Sequence, residues 1–174
     1  MFMAKILLDL LKLILHIIKS KNYYCKFEFK FQICYPTIEV IQMKKQIKVV
    51  GAIIENENNE ILCALRSPEM SIPNHWEFPG GKVEANESFG EAIVREIQEE
   101  LDCTIEFKEA FNDNTHEYEK FIVNLITIKC KLVAGTPIAT EHSKLIWMKR
   151  ENLQSLNWAP ADVPAVEQLI KEKV

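Results

Sequence analysis

Three acidic residues that lie close together in the chain, Glu96, Glu99 and Glu100, are the side chains best suited to chemistry. At about 100° per residue, a helix places their carboxylates within a sector of about 100°. Like charges at helical spacing destabilise a helix by roughly 0.2–0.5 kcal/mol per pair, and a bound cation would offset that repulsion. Ligands that are all oxygen suit Mg²⁺ or Mn²⁺ better than zinc. The alternative interpretation is a solvated acidic helix face, which is common.

A double glycine, Gly80-Gly81, precedes the acidic residues and favours the metal interpretation. Glycine lets the backbone approach a ligand closely, and an exposed carbonyl at this turn would complete a set of oxygen ligands. The four histidines, at positions 16, 75, 116 and 142, have no spacing typical of a metal site. A Gly-x-Ser-x-Gly motif is absent, which argues against a hydrolase with a catalytic triad.

The elements that must position these residues follow one another from Met43 onward. Helical periodicity predicts a helix over about 87–101, begun by a capping box of Ser88 and Glu91, and a closing helix over 163–171. Apolar runs bounded by turn residues predict strands at 47–54, 61–65, 104–111, 121–133 and 144–148. Strands interleaved with two helices predict an α/β fold in which a mixed sheet lies between helices.

The composition is that of one globular domain. With 174 residues, 48% apolar and 26% charged, the chain can bury an adequate core without disulfides or a structural metal. A net charge of −4 argues against stable nucleic-acid binding. The five cysteines form no Cys-x-x-Cys pair, which predicts buried free thiols in a reducing cytoplasm. We expect a monomer or a weak homodimer with no membrane span.

Residues 1–42 differ from the rest, with six lysines, three acidic residues and no glycine. Polar residues at positions 5, 9, 12, 16 and 19 predict an amphipathic helix that is too short and too interrupted to span a membrane. One interpretation is a helix that binds a surface or a partner, and another is a secretory signal. A third, which the excess of lysine over arginine favours, is translated upstream sequence, with Met43 as the true start and a domain over 43–174.

Residues 81–100 resemble the Nudix box in residue type and spacing. The matching residues are Gly81, Glu87 and the run Arg95-Glu96-Ile97-Gln98-Glu99-Glu100. Asp102 stands where the family has glycine, and aspartate can adopt the left-handed conformation of a helix cap at modest cost. The resemblance covers about residues 44–172. Within it, the run 77–82 is similar to the MutT group of nucleoside triphosphate pyrophosphohydrolases, whereas 141–142 and 159–162 are similar to the CTP pyrophosphohydrolases.

This resemblance implies a Nudix α/β/α sandwich with a mixed β-sheet, and attack of water on a phosphoanhydride. It implies Mg²⁺, with Mn²⁺ as an alternative, held by three carboxylates and one carbonyl, and an ion pair that braces the helix. The metal ligands would be Glu96, Glu99, Glu100 and the Gly80 carbonyl, and the bracing pair Glu87 and Arg95. Glu141 matches the general-base position of the family, with Glu117 and Glu119 as rivals.

The implied substrates are 8-oxo-dGTP or the triphosphates of cytidine and deoxycytidine, which would make the protein a sanitiser of the nucleotide pool. The substrate-binding residues would be Arg66, Phe78, Gly80, Gly81 and Asp162. Phe78 and Trp158 would stack on the base, or would pack in the core. Asp162 would accept hydrogen bonds from cytosine N4 or from the N1/N2 edge of an oxidised guanine, or would cap the last helix.

Two further functions stay open at this point. Tyr118 lies sixteen residues after Asp102, a spacing seen in Nudix hydrolases of dinucleoside polyphosphates. A catalytically silent Nudix module that binds a ligand is the other alternative, although every acidic residue of the box is present.

Overall fold

The computed structural model describes the backbone of residues 23–28, 37–42 and 44–172, and the side chains of residues 44–172. The chain divides into two compact units, residues 1–45 and 46–174. In the first unit, strands β1 (Tyr23–Glu28) and β2 (Thr37–Gln42) pair antiparallel. The amphipathic helix expected over residues 5–19 lies outside the described residues, and the start at Met43 stays a prediction.

The remaining elements follow the predicted order. The strands are β3 (Lys45–Ile54), β4 (Glu60–Leu65), β5 (Trp76–Glu77), β6 (Thr104–Glu117), β7 (Phe121–Ala134) and β8 (Lys144–Lys149). The helices are α1 (Phe89–Leu101) and α2 (Val163–Lys171), with a 3-10 turn at Arg150–Ser155. In the part of the chain that the structure describes, no helix is long and apolar enough to cross a membrane.

The strands of the second unit form two three-stranded sheets with helices packed on them. The strand orders are β3-β7-β6 and β5-β4-β8. On β3, Val50, Ala52 and Ile54 join one buried cluster, and Ile53 joins the other. Because alternate side chains of a strand face opposite sides, β3 lies between two cores. Helix α1 contributes to the first core and α2 to the second, so the predicted α/β sandwich is confirmed.

Helix α1 begins and ends through local hydrogen bonds that the sequence predicts. The Ser88 hydroxyl accepts the Glu91 N–H at 3.2 Å, and the Glu91 carboxylate accepts the Ser88 N–H at 2.8 Å. The capping box is therefore confirmed, and the helix begins at Phe89 rather than at residue 87 because Ser88 is the N-cap. At the other end, Asp102 adopts the left-handed conformation with φ 50° and ψ 39°.

We expect Ser88→Ala to lower the free energy of unfolding by about 1 kcal/mol, because the alanine leaves helix N–H groups without the capping oxygen. In a protein of this size, that loss lowers Tm by about 2–4 °C in calorimetry. Ser88→Asp is the control, since aspartate is an equally good cap. If both variants melted alike, the hydroxyl would have no capping role.

Strand β6 is longer than the sequence predicts, because it continues beyond residue 111 to Glu117. Asp113, Asn114 and Glu117 pair with the apolar residues Ile126, Leu125 and Ile122 of β7. Polar residues have a weak preference for strands, but pairing with a strong partner strand overrides it. The longer hairpin brings Tyr118 to the cavity described next.

Candidate active site

The double glycine lies directly against β3. The Val50 N–H donates to the Gly81 carbonyl at 2.9 Å, and the Ala52 N–H donates to the Pro79 carbonyl at 2.8 Å. Gly80 has φ +149°, and a Cβ there would lie 2.2 Å from the Val50 carbonyl oxygen, so no other residue fits. The Gly80 carbonyl, which lies between those of Pro79 and Gly81 in the chain, accepts neither of these two hydrogen bonds from β3.

Two of the three predicted carboxylates lie against the double glycine. A Cβ on Gly81 would be 2.3 Å from Oε2 of Glu96, so that carboxylate occupies the space that the missing side chain leaves. Glu100 is 7% exposed and accepts the Gly80 N–H at 3.3 Å. Glu99 is more open, with 59% of its side chain exposed. All three line one cavity of about 770 Å³.

Arg95 organises the acidic residues around it. Its Nε and Nη2 donate to the two oxygens of Glu87 at 2.8 and 2.9 Å. Its Nη1 lies 3.0 Å from Glu96 and 3.2 Å from Glu99. Hydrogen bonds from Arg95 lower the pKa of Glu87 to about 2. The structure thus pairs Glu87 with Arg95, as the resemblance implies, and gives Arg95 contacts with two of the expected metal ligands.

The donor set fits a hard divalent cation. Among the described residues, no three acidic, histidine or cysteine side chains already converge as a metal cage. The carboxylates instead bond to Arg95 and to the Gly80 amide. Burial raises the pKa of Glu100 to about 7; His142 opposes this rise, and the charges of Glu77, Glu96 and Glu141 add to it. An all-oxygen group with a surplus of negative charge suits Mg²⁺ or Mn²⁺.

The opposite wall of the cavity holds the residues expected to bind the base. Asp162 is 4% exposed, and its Oδ1 accepts the Phe78 N–H at 3.0 Å. It occupies the N-cap position of α2, as one interpretation of the sequence predicted, but its side chain makes no capping hydrogen bond to the helix. Burial, and after it the charge of Glu77, raises the pKa of Asp162 well above its usual value. Burial therefore disfavours the charged carboxylate that the sequence analysis assumed at this position.

The rings of Phe78 and Trp158 pack on each other with their centroids 4.9 Å apart. Both belong to the core that α2 completes, with exposed fractions of 3% and 7%. Core packing therefore describes both rings. Phe78 also forms part of the cavity wall, so its contact with a base stays a prediction.

Arg66 reaches the cavity from the end of β4 and is held from two sides. Its Nη1 forms an ion pair with Glu77. Its Nε and Nη2 donate to the carbonyl and the hydroxyl of Ser71 at 2.7 and 3.0 Å. Met70, Ser71 and Ile72 line the cavity, so Arg66 fixes a segment of its wall.

Of the three candidate general bases, Glu141 has the closest electrostatic connection to the carboxylates. Its charge is one of the causes that raise the pKa of Glu100, whereas Glu117 and Glu119 are not among them. Tyr118, which stands between those two rivals, lines the cavity. Glu117 and Glu119 are not among the residues that line it; Glu117 is the last residue of β6, and Glu119 lies in the turn to β7.

Glu77 and His142 are two buried polar residues beside the cavity whose types and spacing in the sequence did not predict a role. The His142 Nε2 lies 2.9 Å from Glu77 Oε1. Glu77 lies just before the double glycine, and His142 directly follows Glu141. Both segments resemble the family, but no sequence pattern predicts that the two side chains meet. Tyr118 was noticed for its spacing alone. In the structure its hydroxyl accepts the Ala161 N–H at 3.2 Å, beside Asp162.

The fold, the glycine turn against β3 and the acidic helix define a Nudix hydrolase. Residues 45–169 match the NUDIX domain family, and the chain belongs to that family. The enzymes of this family generally use a divalent metal ion.

Within the Nudix family, the chain is similar to enzymes that act on nucleoside triphosphates. The chain is 38% identical to a CTP pyrophosphohydrolase of Escherichia coli over 71% of this chain and 90% of that protein. It is 32% identical to an 8-oxo-dGTP diphosphatase of the same species, over 72% and 97%. A solution structure of a MutT protein of methicillin-resistant Staphylococcus aureus is 50% identical, with a TM-score of 0.63, and the match covers 75% of this chain and all of that one.

Proposed function

We propose that this protein hydrolyses nucleoside triphosphates to a nucleoside monophosphate and pyrophosphate. The observation that carries the proposal is the distribution of groups in one cavity. Glu96, Glu99 and Glu100 line one part of it, and Phe78 and Asp162 line another. A substrate with an anionic tail and a flat polar base matches both parts, provided that cations lie between its phosphates and the carboxylates.

Mg²⁺, with Mn²⁺ as a substitute, is the proposed metal, held by Glu96, Glu99, Glu100 and the Gly80 carbonyl. When bound, the metal neutralises phosphate charge and activates water. Glu141 is proposed to take the proton from the attacking water. Arg95, braced by Glu87, keeps Glu96 and Glu99 in place through direct contacts, and Arg66 contributes positive charge on the cavity wall.

Cytidine or deoxycytidine triphosphate is the first proposed substrate. A neutral Asp162 offers one hydrogen-bond donor and one acceptor. The N3/N4 edge of cytosine offers the complementary acceptor and donor. The identity of 38% to a CTP pyrophosphohydrolase supports this choice.

The triphosphate 8-oxo-dGTP is the second proposed substrate, supported by the relative that is 32% identical. The N1/N2 edge of oxidised guanine offers two donors, which an ionised carboxylate accepts better than a neutral carboxyl group does. The raised pKa of Asp162 therefore makes this base the second choice. With this substrate, the proposed role is to sanitise the nucleotide pool, because 8-oxo-dGTP carries an oxidised base.

The test is turnover of CTP, dCTP, 5-methyl-dCTP, 8-oxo-dGTP and a dinucleoside polyphosphate with Mg²⁺ or Mn²⁺. We expect pyrophosphate from the triphosphates, highest kcat/KM for a cytosine nucleotide, and no activity after EDTA treatment. Release of inorganic phosphate in place of pyrophosphate would contradict the proposed reaction. Preference for the dinucleotide would contradict the substrate class.

Asp162→Asn tests the protonation state, because an amide permanently offers one donor and one acceptor. If Asp162 reads cytosine as a neutral acid, we expect Asp162→Asn to keep kcat/KM for CTP within about fivefold, and Asp162→Leu to lose about tenfold or more. The side-chain oxygen of asparagine still accepts the Phe78 N–H, so folding is preserved. A large loss of kcat/KM in the asparagine variant would mean that the ionised form of Asp162 recognises the base.

We place the protein in the cytoplasm, where its proposed substrates are made, as a monomer or a weak homodimer. The surplus of acidic over basic residues, 25 against 21, supports the absence of stable nucleic-acid binding.

A further inference from the structure

His142 is a buried histidine with one bonded and one unbonded ring nitrogen. None of its side chain is exposed, and Nε2 lies 2.9 Å from Glu77 Oε1. Within the described residues, Nδ1 has no hydrogen-bond partner. A buried polar atom without a partner costs about 1–3 kcal/mol, which an apolar side chain would avoid. A role beyond filling space therefore explains the presence of an imidazole.

The backbone on both sides of His142 is tied to the catalytic elements. The Thr140 hydroxyl donates to the Glu100 carbonyl at 2.6 Å, and the Thr140 N–H donates to the same carbonyl at 3.2 Å. After the histidine, the Ser143 N–H donates to the Leu65 carbonyl at 2.9 Å. The segment is thereby held between the end of α1 and the end of β4, and the imidazole has a fixed position.

Glu77 links the fixed imidazole of His142 to the cavity wall. One of its oxygens bonds to His142 and the other to Arg66. Arg66 in turn holds the carbonyl and the hydroxyl of Ser71. Four residues thus form one continuous chain of contacts from the Glu141 segment to the segment that lines the cavity.

We infer that His142 is a positioning residue, which orients Glu77 and, through it, the Arg66 guanidinium for the nucleotide. The inference rests on the proposed function, in which Arg66 contacts the substrate. Without the bond from His142, Glu77 is fixed only by its ion pair, and it can turn together with Arg66. The substrate then binds more weakly, while the carboxylates on α1 keep their arrangement.

Two variants of His142 distinguish the effect of its hydrogen bond to Glu77 from the effect of its packing. In His142→Gln, the side-chain amide can replace Nε2 as a donor to Glu77. In His142→Leu, a side chain of similar volume offers no donor. For the leucine variant we expect KM for the preferred nucleotide to rise about tenfold and kcat to change by less than about threefold. The glutamine variant should stay within about threefold of wild type in both constants.

A double-mutant cycle tests the proposed path. If His142 acts through Arg66, the loss in kcat/KM for His142→Leu with Arg66→Ala should be close to that of Arg66→Ala alone. Additive losses would overturn the inference. A fall in kcat at constant KM, or weaker Mn²⁺ binding without nucleotide, would assign His142 to Glu100 instead and would also overturn it.

A readout without turnover keeps this test independent of the proposed function. The chain has three arginines, at positions 66, 95 and 150. An NMR spectrum therefore contains few arginine Nε–Hε signals, and the signal of Arg66 can be assigned. We expect the Arg66 signal to shift or broaden in the leucine variant and to recover in the glutamine variant, while those of Arg95 and Arg150 stay in place. An unchanged Arg66 signal would refute the positioning role, even if wild type hydrolysed no nucleotide. Should the leucine variant not fold, His142→Asn replaces it, because asparagine is too short to supply the Nε2 bond.

Discussion

Glu100→Gln is expected to lower kcat by at least about a thousandfold while the protein stays folded. Glu100 is the most buried of the three carboxylates that line the cavity, and it contacts the Gly80 amide. The amide of glutamine keeps the size of the side chain but supplies no negative charge to a divalent cation. Losses of this size correspond to about 4 kcal/mol of transition-state stabilisation.

The stability of the same variant distinguishes a catalytic from a structural role. Burial already disfavours the charged form of Glu100, because it raises the pKa to about 7. Neutral glutamine avoids that cost, so we expect the Tm without metal to be equal to or above that of wild type. The stabilisation that Mg²⁺ or Mn²⁺ gives to wild type should largely disappear.

The matched control is Glu167→Gln on α2, which removes one negative charge from an exposed position with 64% of the side chain exposed. It should leave kcat, KM and Tm unchanged. Unchanged hydrolysis in Glu100→Gln would refute the proposed metal site, and loss of activity in both variants would point to a general effect of charge.

The parts of the fold that depend on local interactions were predictable from the sequence. The capping box at Ser88, the left-handed Asp102 and the buried face of α1 all depend on residues within a few positions of one another. Helix α2 was predicted with the same bounds that the structure has, since its apolar period and Pro164 are local signals. The residues of the Nudix box around Arg95 were also predictable, because their fixed spacing covers one turn and one helix.

Contacts between distant residues were not predictable in the same way. Glu77 and His142 are 65 positions apart, and Asp162 and Phe78 are 84 positions apart. Burial, which cannot be read from the sequence, raises the pKa of Asp162, and the fold places its side chain against the Phe78 N–H and not against the N–H groups of α2. The extension of β6 through a polar segment likewise depends on its partner strand. The contacts among the proposed substrate-binding residues, rather than the residues themselves, are therefore what the sequence predicts least well.

Gly81→Ala is the second change with a large expected effect. The new Cβ would lie between 2.3 and 2.6 Å from the carboxylate atoms of Glu96, so that carboxylate has to move. A side-chain end can move without unfolding the domain, but a displacement of about 1 Å in a catalytic group costs about a hundredfold in rate. We expect kcat to fall by about that factor or more, with a change in Tm of only a few degrees.

Gly90→Ala is the control for this substitution, because it adds the same methyl group at another glycine close by. On α1, the new Cβ would lie 3.6 Å from the Phe107 ring, which is an ordinary contact. Alanine favours a helix interior over glycine by about 1 kcal/mol, and Gly90 lies in the first turn, so this variant should match or slightly exceed the wild-type Tm and keep its kcat. Full activity in Gly81→Ala would mean that Glu96 is not needed where it lies. Loss of activity in Gly81→Ala alone means that the added methyl group matters only where it meets a catalytic carboxylate.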